Sequence, residues 1–519
     1  MSRGTSSKLD AVFSMPGLEE IAAPLQRFGV HADDAVALLA YVAARPVLRS
    51  ANALDDELSD PDVWSRLTRV AGSVGRSLPE APPTFDKLRH LRDKIGDDIG
   101  EVLLEMEQAF TLEAFKLARL AGLAVPRDDW DLTTPIRANT LFADGTWWEP
   151  QSGVTIDPDT GEPLGSRTRG VRRSDDTWWT EPQRTVDPFT GEVTVLEPKQ
   201  VQGPRVSEVW TTTKDGRQLR GVPFVIAGVH GDLPHQRVVL GMRRFQQPGL
   251  VGDGAETPAA DELLQRVIAA SDGGLRWCVY DMAFRGANLQ RLARQGVVGI
   301  AAMPAAGTNQ SALTVDPDDP GPVRYNNDGR KTRFSSGSVG HVRHRVGDRW
   351  CDHELSAVDG SLRTHRRDRP VSVNDPLCEL RDLWFEQPRR GGQQMWALYV
   401  VPCEHGDVTK KIELTGKVPG TSILMLNRIR PIDEYVPMFA AIKGWRQDVE
   451  NVNSIMKRGT PLHGQATSLS AAHFELDVLG SALWVNSTCW DIHVGAVSNS
   501  AKRRKRRNRK AALKAPSNL

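Results

Sequence analysis

The stretch Arg446-Gln-Asp-Val-Glu450-Asn-Val-Asn453-Ser-Ile-Met-Lys457 has the spacing of an amphipathic helix, which we expect over about residues 444–458. Because helical side chains recur every 3.6 residues, its cations, carboxylate and amide share one face. The apolar side chains on the opposite face are Val449, Val452 and Met456. By spacing alone, this pattern is more typical of a solvent-exposed helix with i,i+4 pairs than of a catalytic helix.

Asp281 is a second acidic residue in an informative position, since it closes the apolar stretch Trp277-Cys-Val-Tyr280. The stretch predicts a buried strand, and α/β sheets assemble their sites at the carboxyl ends of such strands. An aspartate there also suits the N-cap of a following helix. Composition alone leaves both interpretations open.

The pattern around Asp281 predicts an α/β fold. Three antiparallel strands come first, at Val206–Thr213, Val222–Val229 and Arg237–Met242. A helix at about 259–271, the strand Leu275–Tyr280, a helix at about 286–295 and the strand Val297–Ala302 follow, and a last helix covers 468–486. This order is that of an RNase H-like fold, although other α/β domains also fit it.

With 519 residues, the chain should form about three units at roughly 150 residues each. We expect an RNase H-like catalytic core with a β-rich insertion, preceded by an all-helical lobe and a small β-hairpin module. The predicted segments are the helical lobe (1–135), the Trp-rich hairpin module (136–204), the first part of the core (205–304), the insertion (305–435), the final core helices (436–498) and a disordered basic tail (499–519). Prolines 79, 82 and 83 divide the helical lobe.

The hairpin module contains a repeat with a period of about thirty residues. Asp144-Gly-Thr-Trp-Trp-Glu-Pro-Gln is similar to Asp176-Thr-Trp-Trp-Thr-Glu-Pro-Gln, and each is followed by Asp-Pro-x-Thr-Gly-Glu. The latter pieces are typical of turns, and the paired tryptophans suit strands. We expect two similar hairpins whose tryptophans fill their own core, in preference to stacking on bases.

Composition narrows the class of protein. With 39% hydrophobic and 25% charged residues, the sequence is that of a globular protein, without an apolar run long enough for a membrane span. Its N-terminus lacks the apolar run of a signal peptide, and five dispersed cysteines favour reduced thiols. We therefore expect a cytoplasmic protein without a membrane partner, and the DNA contacts expected below would make it nucleoid-associated.

The tail 502–510 is the main electrostatic asymmetry. Eight of its nine residues are basic, whereas the whole chain has a net charge of +1, so the remainder carries about −7. Such a run repels itself, cannot pack, and can displace counterions from phosphates without reading sequence. The arginines that we expect to contact DNA here are Arg503, Arg504, Arg506 and Arg507.

The pattern Arg-x3-Glu-x6-Lys, formed by Arg446, Glu450 and Lys457, resembles the signature around the last catalytic glutamate of DDE-type insertion-sequence transposases of the cut-and-paste branch. Lys443 replaces the tyrosine that begins the family signature. Cys278-Val-Tyr-Asp281 is similar to the strand that bears the second acid, and Leu476–Asn486 to the helix after the glutamate. The resemblance covers about 280 residues, including a long, insertion-bearing gap before Glu450.

The resemblance implies Mg²⁺-dependent hydrolysis and strand transfer at the ends of a mobile element, with Mn²⁺ as an alternative ion. Three carboxylates converge on two metal ions in such sites, and Asp281 and Glu450 supply two of them. For the first acid we favour Glu208, on the predicted first strand, with Asp215 second and Asp232 also open. Arg446 and Lys457 would contact phosphate near the scissile bond.

The resemblance also implies the partners: double-stranded DNA, as element ends and target, and a homodimer on that DNA. Two alternatives stay open. One is a catalytically inactive, transposase-derived DNA-binding protein, which follows if no first acid coordinates metal. The other is a host nuclease of the same fold.

Cys351-x-His353 and Cys403-x-His405 form a separate motif in the insertion. Four such nitrogen and sulfur ligands are typical of a closed zinc site. However, the Cys-x-His spacing is short and histidine is frequent in this segment, so we favour two strands with incidental side chains over zinc.

Overall fold

The computed structural model describes most of the chain. The described residues are 3–48, 50–95, 100–150, 209–212, 218–245, 256–281, 284–301, 336–433 without 359, 369, 370, 372 and 373, then 435–445, 447–459 and 471–495, with short segments between 154 and 201 and at 324–325, 331–332 and 465–466.

The N-terminal lobe is helical, as predicted. Its helices are α1 (Arg3–Ser14), α2 (Leu18–Ala22), α3 (Ala32–Leu48), α4 (Ala51–Ser59), α5 (Pro61–Gly72), α6 (Phe85–Ile95) and α7 (Gly100–Leu120). The predicted proline break lies between α5 and α6. Residues 35–44 of α3 are all buried, because they are apolar on every side of the helix and neighbouring elements pack around it.

Nine strands follow the lobe, described in part. They are β1 (Thr140–Pro150), β2 (Val154–Ile156), β3 (Pro163–Arg167), β4 (Gly170–Arg172), β5 (Trp178–Thr180), β6 (Gln183–Val186), β7 (Val193–Leu196), β8 (Gln200–Val201) and β9 (Val209–Thr212). Strands β2 to β5 and β8 form a small sheet, and β6 pairs with β7.

The central elements then alternate much as the sequence predicts. They are β10 (Gln218–His230), β11 (Arg237–Arg244), α8 (Glu256–Ala270), β12 (Trp277–Val279), α9 (Gly286–Arg294) and β13 (Val298–Ile300). The main path of the central sheet has the order β11-β10-β1-β12-β13. Strand β10 is antiparallel to β1 and β11, whereas β12 is parallel to β1 and β13.

Two predictions about this sheet need correction. The strand predicted at Val206–Thr213 is present as β9 and is antiparallel to β10, but it pairs with residues 218–221 at the far end of β10, whereas β1 pairs with residues 222–229 and lies next to β12. The separate hairpin module was expected to include β1, yet Trp148 packs in the central core, 5.4 Å from Phe224. The packing of β1 against residues distant in the chain decides its place in the central sheet, although its sequence is similar to the second copy of the repeat.

The insertion is rich in strands, as predicted. Its strands are β14 (Arg324–Tyr325), β15 (Lys331–Thr332), β16 (Ser336–Val346), β17 (Arg349–Val358), β18 (Ser361–His365), β19 (Glu379–Glu386), β20 (Gln394–Val401) and β21 (Val408–Glu413). Strands β16–β18 and β19–β21 form two three-stranded antiparallel sheets. Contacts with α9 attach the insertion, including a 2.8 Å hydrogen bond from the Gly286 amide to Asn427 Oδ1.

The final elements are α10 (Pro437–Trp445), α11 (Gln447–Gly459), β22 (Gln465–Ala466) and α12 (Ala471–Cys489). The helix expected at 444–458 is thus mainly α11, with α10 immediately before it. Helix α12 joins the lobe to the sheet: its buried Asp477 accepts hydrogen bonds from Arg45 at 2.6 Å and Arg92 at 2.5 Å. Among the described helices, none combines the length and apolarity needed to cross a bilayer.

Candidate active site

Two aspartates lie at similar points along neighbouring parallel strands of the central sheet: Asp144 is within β1, and Asp281 is two residues beyond the last residue of β12. Phe142 of β1 lies opposite Val279 of β12 in the pairing register. Continuing that register by two residues brings Asp144 opposite Asp281. Neighbouring strands are about 4.8 Å apart, so these two carboxylates are suited to share a ligand.

Asp144 lies on the sheet face that the C-terminal helices cover. Phe142 packs against Trp445 of α10 with ring centroids 6.5 Å apart, and Trp148 packs against Phe474 of α12 at 5.9 Å. Since strand residues two apart share a face, Asp144 lies on the same face as both rings. Gly145 faces the other way, where an added Cβ would overlap the Glu256 carboxylate of α8.

Acidic groups are concentrated at this part of the sheet. Tyr280, directly before Asp281, donates a 3.0 Å hydrogen bond to Glu256 Oε1. Burial, foremost, raises the pKa of Tyr280 well above its usual value, and the charges of Glu256, Asp281 and Asp144 raise it further. Several carboxylates therefore act on one phenol from both sheet faces.

Helix α11 is anchored near the start of β1 by a charged pair that the sequence did not suggest. Asp448 accepts two hydrogen bonds from Arg137 Nη2, at 2.7 and 2.8 Å, and one from Arg137 Nε at 3.0 Å. Its side chain is only 11% exposed, and the His230 ring lies 3.9 Å away at the end of β10. This geometry fixes the first turn of α11 against the sheet.

The other end of α11 lies beside the end of β1, since the Lys457 ammonium is 5.8 Å from the Trp148 ring. The helix therefore runs in the direction of β1. Glu450 precedes Lys457 by about 10 Å of helix, and Asp144 precedes Trp148 by about 13 Å of strand. Glu450 is thus near the level of Asp144.

The rotation of α11 directs Glu450 away from β10. Asp448 faces the end of β10, and Glu450, two residues later, projects from the helix about 200° around its axis. Glu450 therefore lies on the opposite side of α11 from the buried Asp448 and is exposed, whereas Asp144 and Asp281 are half-buried.

The other predicted site residues are distributed differently. Glu208, Asp215, Arg446 and the tail arginines lie outside the described residues. Asp232 is exposed in the turn after β10, 3.4 Å from Arg137 Nη1 and therefore near the start of β1. It is too far along β1 to share a ligand with Asp281.

Asp144 is the site residue that the sequence interpretation missed. Its signal was present, because Leu141-Phe-Ala-Asp144 is an apolar run that closes on an aspartate, as Trp277-Cys-Val-Tyr-Asp281 is. The thirty-residue repeat instead assigned Asp144 to a hairpin. Only the pairing of β1 with β12 makes the two aspartates equivalent.

Chemically, Asp144 and Asp281 are hard oxygen donors of the type that Mg²⁺ and Mn²⁺ prefer, and Glu450 on α11 is a further carboxylate with an exposed side chain. No protein-family model matches the chain, and a search of curated proteins finds no match.

Proposed function

We propose that this chain is a DNA transposase with an RNase H-like catalytic core, in which Asp144, Asp281 and Glu450 are the three metal-binding carboxylates. The observation that carries the proposal is the register of β1 with β12, which makes Asp144 the partner of Asp281 beneath the helix of Glu450. Three antiparallel strands followed by helix, strand, helix and strand support the same fold.

The donor set fits divalent magnesium. All three proposed ligands are carboxylates, and the raised pKa of Tyr280 reflects, after burial, negative charge from Glu256, Asp281 and Asp144. A cation would offset that charge. When bound by Asp144, Asp281 and Glu450, Mg²⁺ would polarise a phosphodiester and lower the pKa of an attacking water or 3′-hydroxyl.

Asp144 takes the role for which Glu208 was favoured. Glu208 directly precedes β9, and β9 pairs with residues 218–221 of β10, beyond the part of β10 that pairs with β1. A first acid must be on a strand next to β12 to share metal with Asp281. Asp144 meets this requirement by its position in β1.

The basic residues would hold the DNA backbone. Lys457 is half-buried beside Trp148 on the same helix as Glu450, a position from which its point charge could neutralise a phosphate close to the carboxylates. Arg446 and the tail arginines 503, 504, 506 and 507 would add contacts to phosphate without reading bases. Paired ends would require two copies of the chain on DNA.

Cleavage of labelled duplexes taken from the DNA on either side of the gene tests the proposal. The full chain should nick one strand at a fixed position only when Mg²⁺ or Mn²⁺ is added. Asp144→Asn, Asp281→Asn and Glu450→Gln should each reduce nicking on the order of 1000-fold, equal to about 4 kcal/mol of transition-state stabilisation. Asp232→Asn is the matched control and should retain activity.

Three outcomes would contradict the proposal. Full activity in Asp144→Asn with loss in Glu208→Gln would return the first acid to Glu208. Tight DNA binding without nicking by the unaltered chain, under any divalent ion, would favour the inactive DNA-binding descendant. Nicking of DNA without relation to terminal inverted repeats would favour a host nuclease.

A further inference from the structure

Four nitrogen and sulfur side chains of the insertion converge although they come from two different sheets. His344 of β16 and Cys351 of β17 are paired across a hairpin, and His353 is two residues beyond Cys351 on the same face. Cys403 follows β20, in the turn that leads to β21. The potential ligand atoms of all four residues lie within 4.8 Å of one another.

The histidines of this cluster lack the partners that buried rings normally have. Both ring nitrogens of His344 and Nε2 of His353 are buried without a hydrogen-bond partner among the described residues. Most buried polar atoms in proteins are satisfied, so unsatisfied nitrogens on neighbouring residues require an explanation. The two rings stack with centroids 5.4 Å apart, and both border the thiols.

We propose that His344, Cys351, His353 and Cys403 form a structural zinc site. Two imidazoles and two thiolates are a complete tetrahedral set for Zn²⁺, with bonds of about 2.0–2.3 Å that require ligand atoms roughly 3.5–4 Å apart. Small side-chain rotations from the present separations achieve this. Soft sulfur donors disfavour Mg²⁺, so this site is chemically distinct from the carboxylates of the central sheet.

The ligand set differs from the one that the sequence suggested. Cys351, His353 and Cys403 are retained, but His344 replaces His405. His405 Nδ1 lies 3.6 Å from Cys351 Sγ, and its Nε2 lies 3.2 Å from Arg349 Nη1. His405 is therefore suited to donate a hydrogen bond to the Cys351 thiolate rather than to bind metal.

The role of the zinc would be to cross-link the insertion. Three ligands belong to the β16–β17 hairpin and the fourth to the β20–β21 turn, and these hairpins are in separate sheets. Within the described residues the insertion has no disulfide, since its cysteines are free. A closed zinc site would fix the relative position of the two sheets, and it is independent of the proposed DNA chemistry.

Metal analysis of the purified full chain tests the site. After dialysis against zinc-free buffer, the chain should retain one equivalent of zinc, and Co²⁺ in its place should give the strong visible absorption of tetrahedral thiolate coordination. Cys351→Ser, Cys403→Ser, His344→Gln and His353→Gln should each lower the retained zinc below about a tenth of an equivalent. His341→Gln, on the same strand as His344, and Cys378→Ala are matched controls that should retain it.

His405→Gln separates the two ligand sets. It should keep the zinc stoichiometry and weaken affinity by about 10-fold, as expected for an outer hydrogen-bond donor. Complete loss of zinc in His405→Gln, with retention in His344→Gln, would overturn the ligand assignment.

Alkylation of the unaltered chain tests the site without any substitution that could prevent folding. Zinc should protect Cys351 and Cys403 from alkylation, and a chelator should expose both thiols while Cys378 stays unreactive. Absence of zinc from the unaltered chain, or alkylation that is insensitive to chelator, would refute the site.

Discussion

The two clusters of candidate ligands in this chain differ in donor chemistry and in exposure. Of the proposed carboxylate ligands, Asp144 and Asp281 are half-buried and Glu450 is exposed. The Cys/His cluster of the insertion combines sulfur with nitrogen atoms that are buried without partners. Catalytic metal sites need open positions for substrate, whereas structural sites are closed by protein ligands. The difference agrees with the proposed catalytic role of the first set and the proposed structural role of the second.

The two clusters also differ in how they are assembled. The proposed carboxylate ligands are more than 130 residues apart along the chain, so their relative positions depend on strand order and on the packing of α11. In the insertion, three ligands meet through one hairpin, whose turn contains Gly347 at φ 61°. Glycine adopts this left-handed conformation without strain. The first cluster should thus be more sensitive to changes in tertiary packing.

The largest expected effect is a loss of nicking activity without a change in zinc content. Asp144→Asn should reduce Mg²⁺-dependent nicking on the order of 1000-fold, because a required carboxylate is lost, and should leave the zinc content unchanged. Nicking and zinc content should be measured on the same preparation. Loss of zinc together with activity would show that the substitution disturbs the whole fold, and the comparison would fail.

Removal of zinc should affect stability locally. Chelation, or Cys351→Ser, should lower the free energy of opening of β16 and β17 by more than about 3 kcal/mol, since metal binding free energy is folding free energy at such sites. Hydrogen exchange of peptides from β16–β17 measures this effect, with peptides from β1 and β10 as internal reference. Equal loss of protection in the central sheet would contradict a local role.

The ion pair between Asp448 and Arg137 tests whether the position of Glu450 depends on the packing of α11 against the sheet. Asp448→Asn removes one partner of a largely buried ion pair with Arg137, so we expect a loss of about 2–3 kcal/mol in unfolding free energy. Nicking should also fall, because Glu450 loses its position. Asp232→Asn removes the other, 88% exposed, partner of Arg137 and should change neither quantity measurably. Equal effects in both variants would disprove the anchoring role.

A smaller effect concerns two buried glutamates on helices α7 and α12. Glu107 of α7 and Glu475 of α12 are buried side by side near Arg266 and Arg244. Burial, foremost, and the charge of Glu475 raise the pKa of Glu107 to about 8. The folded chain therefore holds a proton that the unfolded chain releases above about pH 4.5. The stabilising contribution is complete below that pH and is lost as the pH rises through about 8.

Unfolding in urea between pH 5.5 and 8.5 checks this dependence. The unaltered chain should lose at most about 1.4 kcal/mol per pH unit from this group, and Glu107→Gln should remove that slope. Glu105→Gln, on a more exposed position of the same helix, is the matched control. An unchanged slope in Glu107→Gln would assign the pH dependence to other groups. Nicking activity at fixed pH should be similar in both variants.

The local pattern of side chains was sufficient to predict most of the helices and strands. The lobe was predicted to be helical, and β10 to β13, α8, α9 and α12 were predicted within a few residues, because side-chain periodicity reflects the face that each element buries. Asp281 and Glu450 were selected through the resemblance of their segments to a family signature, because strand pattern and helical spacing alone left their roles open. The break between α10 and α11 was not predicted, since Lys443, Gly444 and Trp445 carry no strong signal for the end of a helix.

The positions that the sequence interpretation missed depend on partners far along the chain. Asp144 was assigned to a hairpin by the thirty-residue repeat, and its equivalence with Asp281 appears only when β1 lies between β10 and β12. His344 was passed over because Cys-x-His spacing suggested His405. The pairing of His344 with Cys351 follows from the register of β16 with β17.

The sequence by itself determined which segments are helices and strands and which side chains can bind metal, since both follow from local chemistry. Only the tertiary structure decided which strand occupies the centre of the sheet and which donors face one another. The physical reason is that the alternation of apolar and polar side chains along a strand is a local property. The choice of neighbouring strand depends on burial and backbone hydrogen bonds between residues that are distant in the chain.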